Sequence, residues 1–284
     1  MNATVTAVIP AYNTASTLGD ALDCLLAQTR GDWDAVIVDD GSSDESAAIA
    51  EAYCARDPRF HLIRQANAGA SAARNTGLYA ATGDWILFLD SDDWVTPDFL
   101  DKMLRAAAKN PRAGAIYCGY NRVREDGVRL PQDWTENVAE NPFRSFSRGC
   151  PVVIHGIIVK RPLLVDVGGF DTDLVTCEDW DLWQKVARMG VSFVGIPETL
   201  AFYRLREGSL STSTVQMLKD GLTVTSRAWR ADPRVPNPAR HLAEGRSGDD
   251  TDGSPGYFLC WCAGEYAAQG HDCRSGGRSI CGGS

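Results

Sequence analysis

Hydrophobic positions in the first 110 residues alternate between short continuous runs and longer stretches with helical spacing. The runs are rich in β-branched and aromatic residues, which is typical of strands buried on both faces of a sheet. They cover residues 4–10, 35–38, 60–64 and 85–89. Between them, apolar residues recur every three or four positions, as Leu18, Leu22 and Leu25 do. This alternation predicts an α/β fold with a Rossmann-like, doubly wound, mostly parallel sheet.

The pattern becomes less regular after residue 110. There we expect a small second sheet beside the main one and a helical C-terminal segment. The predicted strands are 113–120, 152–159, 191–195 and 200–204, and the predicted helices are 97–110, 161–167, 178–189 and 213–231. From Asp232 onward the chain is rich in Pro, Gly, Asp, Arg and Ser. This composition predicts a linker-like, poorly ordered tail over 232–284, with a short helix at 257–268.

Two of the predicted strands end in clusters of carboxylates. Asp39 and Asp40 follow the run at 35–38, and Asp90-Ser91-Asp92-Asp93 follows the run at 85–89. Like charges this close repel, so they need a cation or hydrogen-bond donors to stay ionised. The carboxyl edge of a parallel sheet is where such folds bind ligands, and hard oxygen ligands suit Mg²⁺ or Mn²⁺. Solvated acidic turns ahead of the following helices are the alternative interpretation.

Composition and charge restrict the class of protein. Hydrophobic residues make up 44% of the 284 residues and charged residues 23%, which is ordinary for a globular protein. The formal net charge of −9 argues against a nucleic-acid partner. We find neither a signal peptide nor an apolar run of roughly 20 residues that could cross a membrane. Nine cysteines, five of them scattered through the first 180 residues, indicate reduced thiols. We therefore expect a cytoplasmic protein, and peripheral association with the inner face of the membrane stays open.

Several short blocks occur in an order that resembles family 2 glycosyltransferases. They are IPAYN at 9–13, QT at 28–29, VDDGSSD at 38–44, NAGASAARN at 67–75, DSDD at 90–93, GGFD at 168–171 and EDWDLW at 178–183. The resemblance covers roughly residues 3–206. It implies a GT-A fold, a nucleotide-sugar donor, a divalent metal and inversion at the anomeric carbon. On this basis we expect a GT-A domain over 1–212, with a nucleotide-binding half at about 1–110 and an acceptor half at about 111–212.

The resemblance also implies roles for the acidic loops. It assigns Asp92 to a Mg²⁺ or Mn²⁺ ion that bridges the donor diphosphate, and Asp90, with Ser91 beside it, to the ribose or uridine side. It assigns Asp40 to the imide N–H of a uracil, and Asp39 is the lesser candidate. Some family members carry a metal-ligating histidine near the end of the domain, and this chain has none at 200–210. The last metal ligand therefore stays open.

Other candidates flank these loops. Pro10 and Tyr12 end the first strand, where the proline backbone and the tyrosine ring can line a base pocket. Arg74 is the cation that we expect to reach the nucleotide, since the chain is acidic overall. An arginine on the surface of a helix is the alternative interpretation for Arg74.

The acceptor side depends on the later blocks. Asp179 is the candidate general base that takes the proton from the acceptor hydroxyl. Glu178 holds that role if the helix begins one residue earlier, and helix capping is the structural alternative for both carboxylates. His155 and Trp180 are further acceptor-side candidates. A core histidine bonded to the backbone is the better explanation of His155, and a position in the buried core is the better explanation of Trp180.

These observations predict a metal-dependent, inverting glycosyltransferase that uses a nucleotide-sugar, with a UDP-sugar as the leading donor. The acceptor would be a glycan, a lipid-linked molecule or a protein. A GT-A-like nucleotide-binding or scaffold protein without catalysis is the main alternative. A nucleotidyltransferase ranks lower because the first strand is followed by Ala11-Tyr12-Asn13-Thr14 and not by a basic, glycine-rich loop.

Overall fold

The computed structural model describes residues 4–124, 127–130, 138–205 and 214–246. The strands are β1 (Val5–Ala11), β2 (Trp33–Asp39), β3 (Phe60–Arg64), β4 (Trp85–Phe88), β5 (Trp94–Val95), β6 (Ala113–Val123), β7 (Arg129–Leu130), β8 (Ile157–Lys160) and β9 (Ser192–Arg204). The helices are α1 (Leu18–Leu26), α2 (Ser46–Arg56), α3 (Ala70–Ala80), α4 (Phe99–Lys109), α5 (Pro142–Phe146), α6 (Arg161–Asp166), α7 (Glu178–Arg188) and α8 (Thr214–Arg227). Short 3₁₀ turns occupy Ile154–Gly156 and Arg240–Leu242.

The first half of the chain forms the parallel part of the sheet, as the sequence predicted. The strand order is β3-β2-β1-β4, and every neighbouring pair among these four strands is parallel. Helices cover both faces of β1, β2 and β4, so Ile9, Ile37 and Leu87 are completely buried. Burial on both faces explains why these strands appear in the sequence as continuous apolar runs.

The second half extends the same sheet with mixed pairing. β8 pairs antiparallel with β4 and with β6, and β9 runs parallel to β6. Among the described strands there is a single nine-stranded sheet, so the small second sheet that we expected is continuous with the main one. The physical reason is that β9 is one strand of 13 residues. Irregular register opposite Gly119 allows it to pass from the main part of the sheet to β5 without a break.

The predicted strand at 152–159 begins later than expected. The Gly156 amide donates to the Val153 carbonyl at 2.9 Å and closes a 3₁₀ turn, and β8 starts only at Ile157. This turn places the His155 side chain completely inside the protein.

The predicted tail over 232–284 begins too early, because residues 232–246 are in contact with the domain. Asp232 and Val235 are buried, and the Arg234 guanidinium donates to Asp181 in α7 at 2.8 Å. Arg234, in a segment that resembles a linker in composition, therefore forms ion pairs with Asp171 and Asp181 of the domain and with the neighbouring Asp232. The predicted helix at 257–268 lies outside the described residues.

No helix in the described part of the chain combines the length and the apolar character that crossing a membrane requires.

Candidate functional site

The carboxyl ends of β1, β2 and β4 meet at one edge of the sheet and carry the first group of candidates. Asn13, which has a positive φ of 52°, joins the loop after β1 to the loop after β2. Its side-chain oxygen accepts from the Ser43 amide at 2.8 Å, and its own amide donates to the Ser42 hydroxyl at 3.0 Å. Tyr12, one position earlier, is 51% exposed. A fixed loop thus presents an accessible aromatic ring next to Pro10, which is the arrangement that a nucleobase can stack on.

Asp40 is buried and holds the loop that leads into α3. Its carboxylate accepts from the Gln65 side-chain amide at 2.7 Å, from the Ala68 amide at 2.9 Å and from the Gly69 amide at 2.8 Å. A carboxylate offers about four acceptor positions, and these donors use three of those of Asp40. Sequence reasoning did not anticipate this loop-holding role.

Asp39 is buried as well, but it contacts a different part of the edge. It accepts from the Ser42 amide at 3.2 Å, and one of its oxygens lies 3.6 Å from the Arg64 Nε. Asp39 therefore shapes the turn after β2, and Asp40 remains the better candidate for contact with a base.

Arg204, at the end of β9, holds the acidic loop 90–93 in place by hydrogen bonds to Asp92 and Asp93. The Arg204 amide donates to Asp93 Oδ1 at 2.7 Å, and its Nε donates to the Asp92 carbonyl at 2.8 Å. The same guanidinium reaches Asp20 in α1 at 2.7 Å. Asp93 is thereby held in the interior, while the side chain of Asp92 is partly exposed.

His155 lies beneath this loop and not at a surface that an acceptor could reach. Its Nδ1 is 3.1 Å from Asp93 Oδ2, and its ring is parallel to that of Tyr203 at 6.4 Å. Burial alone would lower the pKa of His155, but the charges of Asp93 and, behind it, Asp90 and Asp92 raise it above its ordinary value. The interpretation as a core histidine is correct in position, although its partner is a carboxylate.

Trp180 also belongs to the core. Its indole N–H donates to the Phe146 carbonyl, and the side chain is almost completely buried. The acceptor-side expectation for Trp180 is therefore replaced by a packing role between α5 and α7.

Arg74 forms a bridge that the sequence did not reveal. The side chain is buried, and its two terminal nitrogens donate to Asp90 Oδ1 at 2.6 Å and to Glu178 Oε1 at 2.8 Å. Burial acts to lower the pKa of Arg74, but the two carboxylates raise it above its usual value, so the guanidinium stays charged. The cation that we expected to face the nucleotide instead connects the acidic loop to the first residue of α7.

Asp179 follows Glu178 in the first turn of α7 and has an unusual environment. Its Oδ1 accepts from the Trp180 amide at 2.7 Å, and its Oδ2 lies 3.7 Å from the Cys150 thiol. Desolvation, then the neighbouring charge of Glu178, raise the pKa of Asp179 to about 7. The Trp180 amide and Arg74 oppose this shift without cancelling it. A carboxyl group that titrates near neutral pH is suited to proton transfer.

The position of α7 depends on the C-terminal part of the chain. Asp220 in α8 accepts from the Val175 and Thr176 amides at 3.1 and 2.9 Å, in the loop just before Glu178. Asp181, which is completely buried, accepts from Arg227 at 2.7 Å as well as from Arg234. Sequence reasoning missed these supporting residues because nothing local in the chain links them to the motif at 178–183.

The oxygen ligands at the sheet edge fit a hard divalent cation. Within the described ranges, no three His, Cys, Asp or Glu side chains form a cluster that could hold a metal ion by themselves. A cation at Asp92 would therefore take further ligands from a bound diphosphate and water, as Mg²⁺ commonly does. The assignment of Asp92 as a metal ligand stays a prediction.

The fold is that of the GT-A glycosyltransferases. The structure of Staphylococcus aureus TarS 1–349 in complex with UDP-GlcNAc superposes with a TM-score of 0.67 at 22% identity, covering 81% of this chain and 67% of that one. The mannosyltransferase PcManGT from Pyrobaculum calidifontis, in complex with GDP-Man and Mn²⁺, superposes with a TM-score of 0.67 at 21% identity, covering 96% of this chain and 77% of that one.

Sequence comparison then gives the family. The model of glycosyl transferase family 2 matches residues 6–161, and that of glycosyl transferase family group 2 matches residues 85–242. The chain belongs to glycosyl transferase family 2. TuaG of Bacillus subtilis (strain 168), which carries the name of a teichuronic acid biosynthesis glycosyltransferase, is 30% identical over 216 residues, or 74% of this chain and 82% of TuaG.

Other relatives are longer than this chain. The glycosyltransferase GlyA of Streptococcus pneumoniae serotype 4 is 31% identical over 222 residues, which are 73% of this chain and 31% of GlyA. EpsH of Bacillus subtilis (strain 168), also named as a glycosyltransferase, is 38% identical over 139 residues, which are 49% of this chain and 40% of EpsH. The chain therefore spans less than half the length of these two relatives.

Proposed function

We propose that this chain transfers a sugar from a nucleotide-sugar to an acceptor hydroxyl by a single displacement that inverts the anomeric carbon. The observation that carries the proposal is the first turn of α7, where desolvation and the adjacent Glu178 charge raise the pKa of Asp179 to about 7 and where Arg74 connects Glu178 to the acidic loop. Asp179 takes the proton of the acceptor hydroxyl as the hydroxyl oxygen bonds to the anomeric carbon. The bond from that carbon to the diphosphate breaks, and the nucleoside diphosphate leaves with the electron pair.

A UDP-sugar is the proposed donor. Tyr12 and Pro10 receive the base, and the remaining acceptor position of Asp40 takes the imide N–H of uracil, a contact that other bases satisfy poorly. Asp90 and Ser91 lie at the same edge, where the ribose would follow. The UDP-GlcNAc complex of TarS supports a uridine nucleotide, whereas the GDP-Man complex of PcManGT makes guanosine the competitor to test.

Asp92 is the proposed protein ligand of a Mg²⁺ or Mn²⁺ ion. When bound, such an ion neutralises charge on the departing diphosphate. The Mn²⁺ complex of PcManGT supports this assignment. The acceptor is a hydroxyl-bearing glycan, lipid-linked molecule or protein, and the name of TuaG favours a glycan.

The first test is isothermal titration of UDP and GDP, each with and without Mn²⁺, into the wild-type protein and Asp92→Ala. We expect Mn²⁺-dependent binding of UDP that Asp92→Ala loses. Preference for GDP would contradict the proposed contact between Asp40 and the imide N–H of uracil. If that contact is right, UDP methylated at N3 of the uracil should bind poorly. No nucleotide binding under any condition would favour a scaffold without catalysis.

The second test addresses the general base. Asp179→Asn should retain UDP binding and lose about 10²- to 10⁴-fold in kcat, since general-base assistance is removed. Normal turnover by Asp179→Asn would contradict the assignment.

A further inference from the structure

Arg74 connects two parts of the site that the chain brings together from far apart. Its two terminal nitrogens contact Asp90 at 2.6 Å and Glu178 at 2.8 Å, and Glu178 is 104 residues away in sequence. The guanidinium is planar and rigid, so the two contacts fix the positions of both carboxylates relative to each other. Asp90 belongs to the proposed donor loop, and Glu178 precedes the proposed general base.

The surroundings of Arg74 hold it in this position. The next residue, Asn75, exchanges two hydrogen bonds with the backbone of Phe170, at 2.9 and 2.7 Å. The Phe170 ring in turn lies 5.4 Å from the Arg74 guanidinium carbon. Helix α3 is thus attached both to the sheet edge and to the segment that leads into α7.

The same geometry disfavours a role for Arg74 as a phosphate-binding cation. Both terminal nitrogens are engaged by carboxylates, and the buried Nε has no hydrogen-bond partner among the residues that the structure describes. The side chain is 6% exposed. Moving the guanidinium toward a ligand would leave Asp90 and Glu178 without their cation, which is costly for partly buried charges.

We infer that Arg74 and Glu178 form a positioning pair that couples the donor loop to the helix carrying Asp179. Glu178 is accordingly a positioning residue and not the general base. This inference rests on the proposed function, because it takes Asp179 as the base and the loop 90–93 as part of the donor site. Its consequence is that loss of the contact between Arg74 and Glu178, on the acceptor side, disturbs donor binding.

Glu178→Gln and Arg74→Lys test the inference in combination. Glu178→Gln should weaken Mn²⁺-dependent UDP binding by at least about threefold although Glu178 lies outside the donor loop, because Arg74, the partner of Asp90, loses one of the two carboxylates that fix its position. Arg74→Lys retains the charge but cannot span two carboxylates, so kcat at saturating donor should fall by at least about tenfold. A lysine serves well as a phosphate-binding point charge, so wild-type kcat and UDP affinity in Arg74→Lys would overturn the inference.

A double-mutant cycle separates coupling from independent roles. Asp90→Asn and Glu178→Gln should each lower kcat, and the double variant should lose less than the product of the two effects, because both changes break the same bridge. Strictly multiplicative effects, with UDP binding unchanged in Glu178→Gln, would overturn the coupling. The matched control is Arg105→Met, which removes an exposed ion pair with Asp101 on α4 and should leave both measurements unchanged.

The proposed function and the inference fail in different ways. If wild-type protein binds no nucleotide, or Asp179→Asn turns over normally, the proposed function is wrong. If those two results are as expected but Glu178→Gln binds UDP like wild type and Arg74→Lys keeps full kcat, only the coupling is wrong. Glu178→Gln is a nearly isosteric change at a partly exposed side chain, so it remains informative if Arg74→Lys does not fold.

Discussion

Glu178 and Asp179 are adjacent carboxylates in the first turn of one helix, but their environments differ. Glu178 is paired with the Arg74 guanidinium at 2.8 Å. Asp179 is desolvated and lies beside the Glu178 charge, and these two effects raise its pKa to about 7. The two neighbouring carboxyl groups therefore differ in environment: one is the partner of a cation, and the other has its pKa raised toward neutral pH.

The pH dependence of turnover follows from this difference. Asp179 accepts a proton only when ionised, so kcat should rise with pH through about 7. Glu178→Gln removes the adjacent negative charge, which raises the pKa of Asp179, and leaves Arg74 in place, so the rising limb should move to lower pH. Measurement of kcat at saturating donor from pH 5 to 9 checks both statements. An unchanged limb in Glu178→Gln would mean that another group controls the rate.

The same pKa makes a prediction about stability. Because the pKa of Asp179 is raised in the folded state, folded protein binds this proton more tightly than unfolded protein does. The free energy of unfolding should therefore fall as pH rises from the ordinary aspartate pKa of about 4 to above 7. Asp179→Asn keeps an oxygen acceptor for the Trp180 amide and carries no charge.

Urea unfolding of Asp179→Asn and wild type at two pH values measures this effect. At pH 5 the two proteins should be about equally stable, whereas at pH 8.5 the variant should be more stable by about 1–2 kcal/mol. A variant less stable than wild type at pH 8.5 would show that desolvation of the Asp179 charge does not dominate.

Sequence patterns predicted the parallel half of the fold and the sheet edge where the candidates gather. They succeeded because buried parallel strands give continuous apolar runs, and because carboxyl ends of such strands meet at one edge. Sequence patterns could not reveal which groups donate hydrogen bonds to each acidic side chain. The donors to Asp40 are side-chain and backbone N–H groups of residues 65–69, and backbone groups are the same at every position in a sequence.

Long-range ion pairs were the second feature that could not be predicted. Arg74 resembles a surface arginine on a helix until Glu178 is brought beside it. Residues 232–246 resemble a linker because Pro, Arg and Asp are common in linkers, whereas here Arg234 reaches the buried Asp181. Composition records how polar a segment is but not whether its charges find partners.

His155 should stabilise the protein in a pH-dependent way. Burial acts to lower the pKa of His155, but the Asp93 carboxylate more than offsets this effect, so the pKa is raised in the folded state. The contribution of His155 to the free energy of unfolding is therefore complete below the ordinary histidine pKa of about 6.5. The contribution is lost as pH rises through the higher folded-state pKa. His155→Leu should therefore cost about 2–4 kcal/mol at pH 6, because Asp93 loses its buried partner, and clearly less at pH 9.

Urea unfolding at the two pH values checks this expectation. His61→Leu is the matched control, since His61 is exposed on β3 and should change stability little at either pH. Equal losses for His155→Leu at pH 6 and pH 9 would show that packing, and not charge, is what His155 contributes.

The last prediction concerns the segment 232–246. Asp181 is completely buried and receives hydrogen bonds from both Arg227 and Arg234, so removal of either cation leaves a buried charge with fewer partners. Arg234→Met should lower the free energy of unfolding by about 2–3 kcal/mol, whereas Arg240→Met, at an exposed position, should have little effect.

Two shortened chains extend this test. A chain that ends at Arg246 keeps the buried Val235 and the contacts of Arg234, whereas a chain that ends at Ala231 loses them. The shorter chain should unfold at lower urea, with a loss of about 3–5 kcal/mol relative to the longer one, because Asp181 loses a cation and α7 loses part of its cover. Since α7 carries Asp179, the shorter chain should also lose turnover. Equal urea midpoints for the two chains would restore the original interpretation of residues 232–246 as a linker.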